Sequence, residues 1–132
     1  MGIKFKSMSM NFIINRKKWR TGDTGQVLGK GSTLLRNSDG FMCCLGQVAC
    51  QLKPGINLLH RGEPEEIGKA LSTVEGGDLL IEQLEDYDQY INTKLSTEAM
   101  SINDNNDLTI AEREEQLTSL FKTKGVTLEF VN

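Results

Sequence analysis

The sequence predicts an α+β fold: a small antiparallel or mixed sheet with about four helices, one of them buried at the centre. Three stretches carry that expectation. Phe41 to Leu52 is apolar almost all round, with Leu45, Val48, Ala49 and Leu52 at helical spacing, which marks a helix surrounded by core. Thr109-Ile110-Ala111-Glu112 has the form of a capping box, in which the threonine oxygen and the glutamate satisfy each other's backbone amides. The closing run VTLEFV alternates Val126, Leu128 and Phe130 on one face, the period of a half-buried strand.

From the N-terminus, IKFK and MNFIINRKKW alternate weakly and read as strands, although INRKKW equally suits a helix start. GDTGQVLGKGS is glycine-rich and reads as a loop. STLLRNSDG reads as a short strand ending in a turn at Asn37 to Gly40, because Asp-Gly favours positive φ. Ser38 or Asp39 then caps the apolar helix, and Lys53-Pro54-Gly55 stops it. Pro64 opens a short helix through Leu71, with Glu65 and Glu66 well placed for its dipole. Asp78 is expected to cap a longer amphipathic helix with a stripe of Leu80, Leu84, Tyr87, Ile91 and Leu95 and an acidic back of Asp78, Glu82, Glu85 and Asp86. The helix after the capping box turns Ile110, Leu117, Leu120 and Phe121 inward and stops at Gly125.

A chain of 132 residues with 38% apolar and 25% charged residues suits one globular domain, residues 1–132. No apolar run approaches the roughly 20 residues of a membrane span, and MGIKFKSMSM lacks the apolar stretch of a signal peptide. Three clustered cysteines without such a signal point to a reducing, cytoplasmic setting. The net charge of −3 conceals a polarity. Residues 1–62 hold ten bases against two acids, whereas residues 63–107 hold twelve acids against two bases. One part of such a chain attracts anions and another repels them, unless the two parts cover each other.

The cysteines Cys43, Cys44 and Cys50 lack the paired spacing of a zinc site, so no metal or other cofactor is expected. Their apolar setting reads as packing; a Cys43 or Cys44 thiolate activated by the sole histidine, His60, is the enzymatic alternative. The run around Lys30 fails the P-loop pattern, since Gly31 follows the lysine where Ser or Thr is required. It retains Lys30 and Ser32 on a loop whose amides could cradle an anion. Asn103 to Asp107 fails the EF-hand pattern and reads as a turn before a helix. Trp19 beside Arg20 offers an indole to stack on a base and a cation to hold phosphate. With few aromatics and an acidic net charge, extended nucleic acid is not an expected partner.

The segments WRTG, LLRNSDGFMCCLG and AMSINDNNDLTIAEREEQLTSLFKTKGVTLEFV together resemble small uncharacterised proteins of bacteriophages and prophages. The resemblance covers most of the chain from Trp19 onward, except residues 55–95. It implies a viral origin, action in the bacterial host cytoplasm and, by the habit of such proteins, interference with host defence. It carries over no catalytic residue. On this reading the protein is a non-enzymatic binder that sequesters a small anionic nucleotide-derived signal. Its ligand-binding residues would be Trp19, Arg20, Lys30, Ser32, Arg36, Asn103 and Asp104, the last two hydrogen-bonding ribose or base edges. A homo-oligomer is expected, with the acidic helix of one copy facing a basic surface of another. The alternatives are an inhibitor that binds a host defence protein directly through its acidic surface, and a cysteine-dependent enzyme.

Overall fold

A computed structural model of the chain describes residues 10–19, 41–58, 61, 63–84 and 89–132. In chain order it contains β1 (Asn11–Asn15), a 3-10 turn (Arg16–Lys18), α1 (Cys44–Leu52), a second 3-10 turn (Pro64–Ile67) running into α2 (Gly68–Leu71), and a third (Gly77–Leu79). There follow β2 (Ile81–Leu84), β3 (Gln89–Asn92), α3 (Lys94–Asn103), α4 (Ile110–Lys122) and β4 (Thr127–Val131). The fold is α+β, as the sequence predicts. Its strands form two separate pairs: β1 with β4 in parallel, and β2 with β3 antiparallel. The glycine-rich loop and the strand expected before Phe41 lie outside the described residues.

The parallel pair joins the two ends of the described chain, with Phe12 opposite Leu128 and Ile14 opposite Phe130. Phe12, Ile14 and Leu128 are buried and Phe130 half-buried, so the alternation in both segments aims one face at the core. The segment INRKKW uses both of its options: the strand ends at Asn15, whose side chain accepts from the Lys17 amide and starts the 3-10 turn.

The outer edge of β1 is closed by a helix rather than by a strand. Gln47 and Gln51 stand one turn apart on α1 and face that edge. Gln51 Oε1 accepts from the Ile13 amide at 2.9 Å while its Nε2 donates to the Ile13 carbonyl at 2.8 Å. Gln47 does the same for Asn15, accepting at 2.7 Å and donating at 3.1 Å. Four helical residues rise about 6 Å and two strand residues about 6.6 Å, so successive carboxamides fall opposite successive outward peptide groups. The remaining faces of α1 bury Cys44, Leu45, Val48 and Ala49 completely. This is the expected central helix. It begins at Cys44 with Cys43 at its N-cap, not at Ser38 or Asp39.

The long helix expected from Asp78 to Leu95 does not form. A 3-10 turn, the β2–β3 hairpin and the start of α3 occupy that stretch. As a helix it would set Asp78 against Glu82 and Glu82 against Asp86 at i,i+4, where like charges repel; Tyr90 and Ile91 prefer a pleated surface. Thr93 fixes the boundary, its hydroxyl accepting from the Ser96 amide as the N-cap of α3. Leu84 and Ile91, read as helix stripe, stand exposed on the outer face of the hairpin. Its inner face rests Tyr90 on Gly68, where a Cβ would come within 2.3 Å of the ring. The expected oligomer contact through an acidic helix therefore has no such helix to use.

The capping box at Thr109 and Glu112 is present in both directions. Leu117 and Phe121 point inward, but Ile110 is 43% exposed, and the inward position between them belongs to Arg113, which is 2% exposed.

Replacing Gln47 by leucine leaves the amide and carbonyl of Asn15 without partners in a half-buried setting, a loss of about 1–3 kcal/mol. Urea denaturation should show a lower midpoint at unchanged slope. Gln51→Leu, at an exposed site where water can replace the amide, should cost less.

Candidate functional site

Three of the residues expected to bind ligand come together, and they do so inside the protein. Trp19 is 6% exposed and Asn103 fully buried. The indole Nε1–H donates to Asn103 Oδ1 at 2.6 Å, the Cys44 amide donates to the same oxygen at 3.1 Å, and Asn103 Nδ2 donates to Asp104 Oδ1 at 2.9 Å. Cys43, at the N-cap of α1, makes no side-chain capping bond; Asn103 supplies it from the end of α3. The Trp19 ring packs at 5.1 Å from Phe130, and Arg16 lies 5.9 Å over the other ring while pairing bidentately with Glu114 at 2.7 and 2.8 Å. The indole expected to stack on a base is thus covered, and Trp19 and Asn103 serve the fold. Arg20, Lys30, Ser32 and Arg36 lie outside the described residues.

Arg113 belongs to the same region and escaped the sequence reading. Its Nη2 donates to the Asn105 carbonyl at 2.5 Å, and its buried Nε has no hydrogen-bond partner. Burial pulls its pKa down, opposed by the nearby negative charge of Asp104. The guanidinium holds the turn that follows α3.

The thiols are placed for packing. Cys43 sits where a helix N-terminus favours thiolate, yet burial dominates and pushes its pKa up to about 12. Burial pushes Cys44 well above the ordinary thiol value, with Cys43 and Asp104 adding to the effect. Cys50 is half-buried, 3.9 Å from the Met42 sulfur. His60 lies outside the described residues. Among those described, no three histidine, cysteine or acidic side chains converge as a metal site, and no helix is long and apolar enough to cross a membrane.

Among the described residues a groove of about 760 Å³ opens, within the usual range for binding pockets. Met10 and Val126, at the entrances to β1 and β4, line it together with β2 and the turns before it. Val74 and Leu79, both half-buried, supply apolar surface, and Glu75, Asp78, Glu82 and Lys124 also line the groove. Gly76, at φ +88°, lets the wall turn sharply; a Cβ there would strike the Met10 side chain. Among the described residues, neither Trp19, Asn103 nor Asp104 lines this groove. The acidic run of residues 63–107 was its only signal in the sequence, and a helical reading of that run hid the cleft.

No protein-family model matches the chain, and neither a curated protein nor a solved structure is detectably similar to it.

Asn103→Leu should lower stability by at least about 2 kcal/mol, because two buried donors lose their acceptor. Asn103→Asp keeps the acceptor but sets a carboxylate beside Asp104, so its deficit should shrink as pH falls and one of the pair takes a proton. Chemical denaturation across pH separates the two variants.

In the folded protein at pH 8, a disulfide reagent should modify Cys50 before Cys43 or Cys44, which react only on unfolding. Since the folded Cys43 pKa is raised, its contribution to stability is intact below the unfolded thiol value of 9.0 and is lost as pH climbs from there toward about 12.

Proposed function

We propose that this chain is a non-catalytic binding protein whose groove receives a basic segment of another protein. The observation that carries the reading is the groove itself, an apolar cleft whose described lining carries Glu75, Asp78 and Glu82 with Lys124 as its one base. Acids around an apolar cleft attract lysine- and arginine-bearing segments and raise their rate of encounter. The resemblance to bacteriophage proteins makes a host defence protein, met in the bacterial cytoplasm, the partner class for such a surface. Sequestration of a small anionic nucleotide, the leading expectation from the sequence, draws on Arg20, Lys30, Ser32 and Arg36, which lie outside the described residues. The acid-lined groove repels a ligand of that charge.

Calorimetric titration with a lysine-rich peptide, a glutamate-rich peptide and a cyclic dinucleotide tests the reading. Only the lysine-rich peptide should bind in the groove, and Asp78→Asn with Glu82→Gln should weaken it about tenfold, equivalent to about 1.4 kcal/mol. Added salt should weaken it further. Equal binding of both peptides, or tight binding of the dinucleotide with indifference to the lysine peptide, would contradict it.

A further inference from the structure

A cluster of exposed bases and the acids of the groove stand at opposite ends of one strand. β1 is entered from Met10, which lines the groove, whereas no residue of Asn11–Asn15 does so. The strand leads out into the Arg16–Lys18 turn, where all three bases are exposed. Arg16 is already engaged by Glu114. Lys17 and Lys18 have no ion pair among the described residues, and neither have Glu75, Asp78 and Glu82, which are exposed at the groove. Five strand steps separate Met10 from Asn15, about 16 Å at 3.3 Å per residue. The strand is held straight between β4 on one edge and Gln47 and Gln51 on the other. Within one subunit the free lysines and the groove are therefore kept apart.

Resting on the groove reading above, we infer that the Arg16–Lys18 turn of one copy enters the acidic groove of another, so that the chain competes with its own partner for that site. Lys17 and Lys18 of the entering copy meet the carboxylates of Glu75, Asp78 and Glu82, and opposite charge of this kind steers encounter and fixes orientation. The charge polarity of the chain favours the same arrangement, with bases in excess over residues 1–62 and acids over residues 63–107. Turn and groove are different surfaces, so the contact is heterologous and runs head to tail from copy to copy. A contact made by one short turn is small, and small contacts are weak and reversible. By mass action, self-association fills the groove when the protein is concentrated and frees it for a basic segment of another protein when it is dilute.

Sedimentation velocity across a wide range of protein concentration tests this. The unaltered chain should associate as concentration rises, less so in added salt. Lys17→Glu with Lys18→Glu should weaken self-association at least about tenfold, and Asp78→Lys with Glu82→Lys should do the same. An equal mixture of the two variants should associate again, because each turn then finds a groove of opposite charge. That recovery is not produced by misfolding of either variant. A chain that stays monomeric at every concentration, association that survives either reversal, or a mixture that stays dissociated overturns the proposal. Should a reversed variant not fold, a lysine-rich peptide added to the unaltered chain answers the same question: it should dissociate the copies, and association unmoved by saturating peptide overturns the proposal. The groove reading is judged separately. It survives the loss of self-association if the peptide still binds with its dependence on Asp78 and Glu82, and falls if the peptide does not bind.

Discussion

The buried carboxamide of Asn103 is the point on which the interior depends. Its oxygen accepts from the indole of Trp19 and from the first amide of α1, so one atom joins the end of the β1 segment, the start of the central helix and the end of α3. These partners lie 84 and 59 residues away in sequence. An amide in that position must find both donors, because leaving either unpaired in a low-dielectric interior costs more than the bond gains in water. That requirement ties the register of the N-terminal segment to the placement of α1. The bridge of Trp19 to Met42 runs alongside it, with the Met42 amide donating to the Lys18 carbonyl. The cysteines on either side of the helix start are then sealed in an environment that keeps them protonated.

From that anchored helix, Gln47 and Gln51 reach sideways and complete β1 as a neighbouring strand would. An open strand edge invites pairing with other chains, and here the edge nearest the core is closed by side chains of matched spacing. The β2–β3 hairpin borders the acidic groove, with Ile81 buried and Glu82 and Gln83 exposed.

Local chemistry was legible in the sequence, and long-range chemistry was not. The capping box, the proline at the head of the Pro64–Ile67 turn and the apolar run of α1 each involve residues within a turn or two of one another, and each formed as read. The hairpin failed because Leu80, Leu84, Ile91 and Leu95 happen to satisfy a helical spacing, while the acid-on-acid repulsion that opposes a helix there was taken for a solvated face. From the sequence Trp19, Asn103 and Asp104 read as contacts to an external ligand, together with Arg20, Lys30, Ser32 and Arg36. Only the fold shows that Trp19 and Asn103 bond to each other inside the protein. Arg113 stood at the inward position three residues after Ile110 and four before Leu117, so its place was legible from periodicity, but its charge argued against burial until Asn105 and Asp104 came near. The groove is assembled from residues 10, 71–83 and 124–126, which no local pattern connects.

The closing of the β1 edge by glutamine side chains is open to direct observation by residue-resolved amide hydrogen exchange. The amides of Ile13 and Asn15, bonded to glutamine side chains, should be protected like those of Phe12 and Ile14 in the strand paired with β4. Rapid exchange at Ile13 and Asn15 would contradict the account.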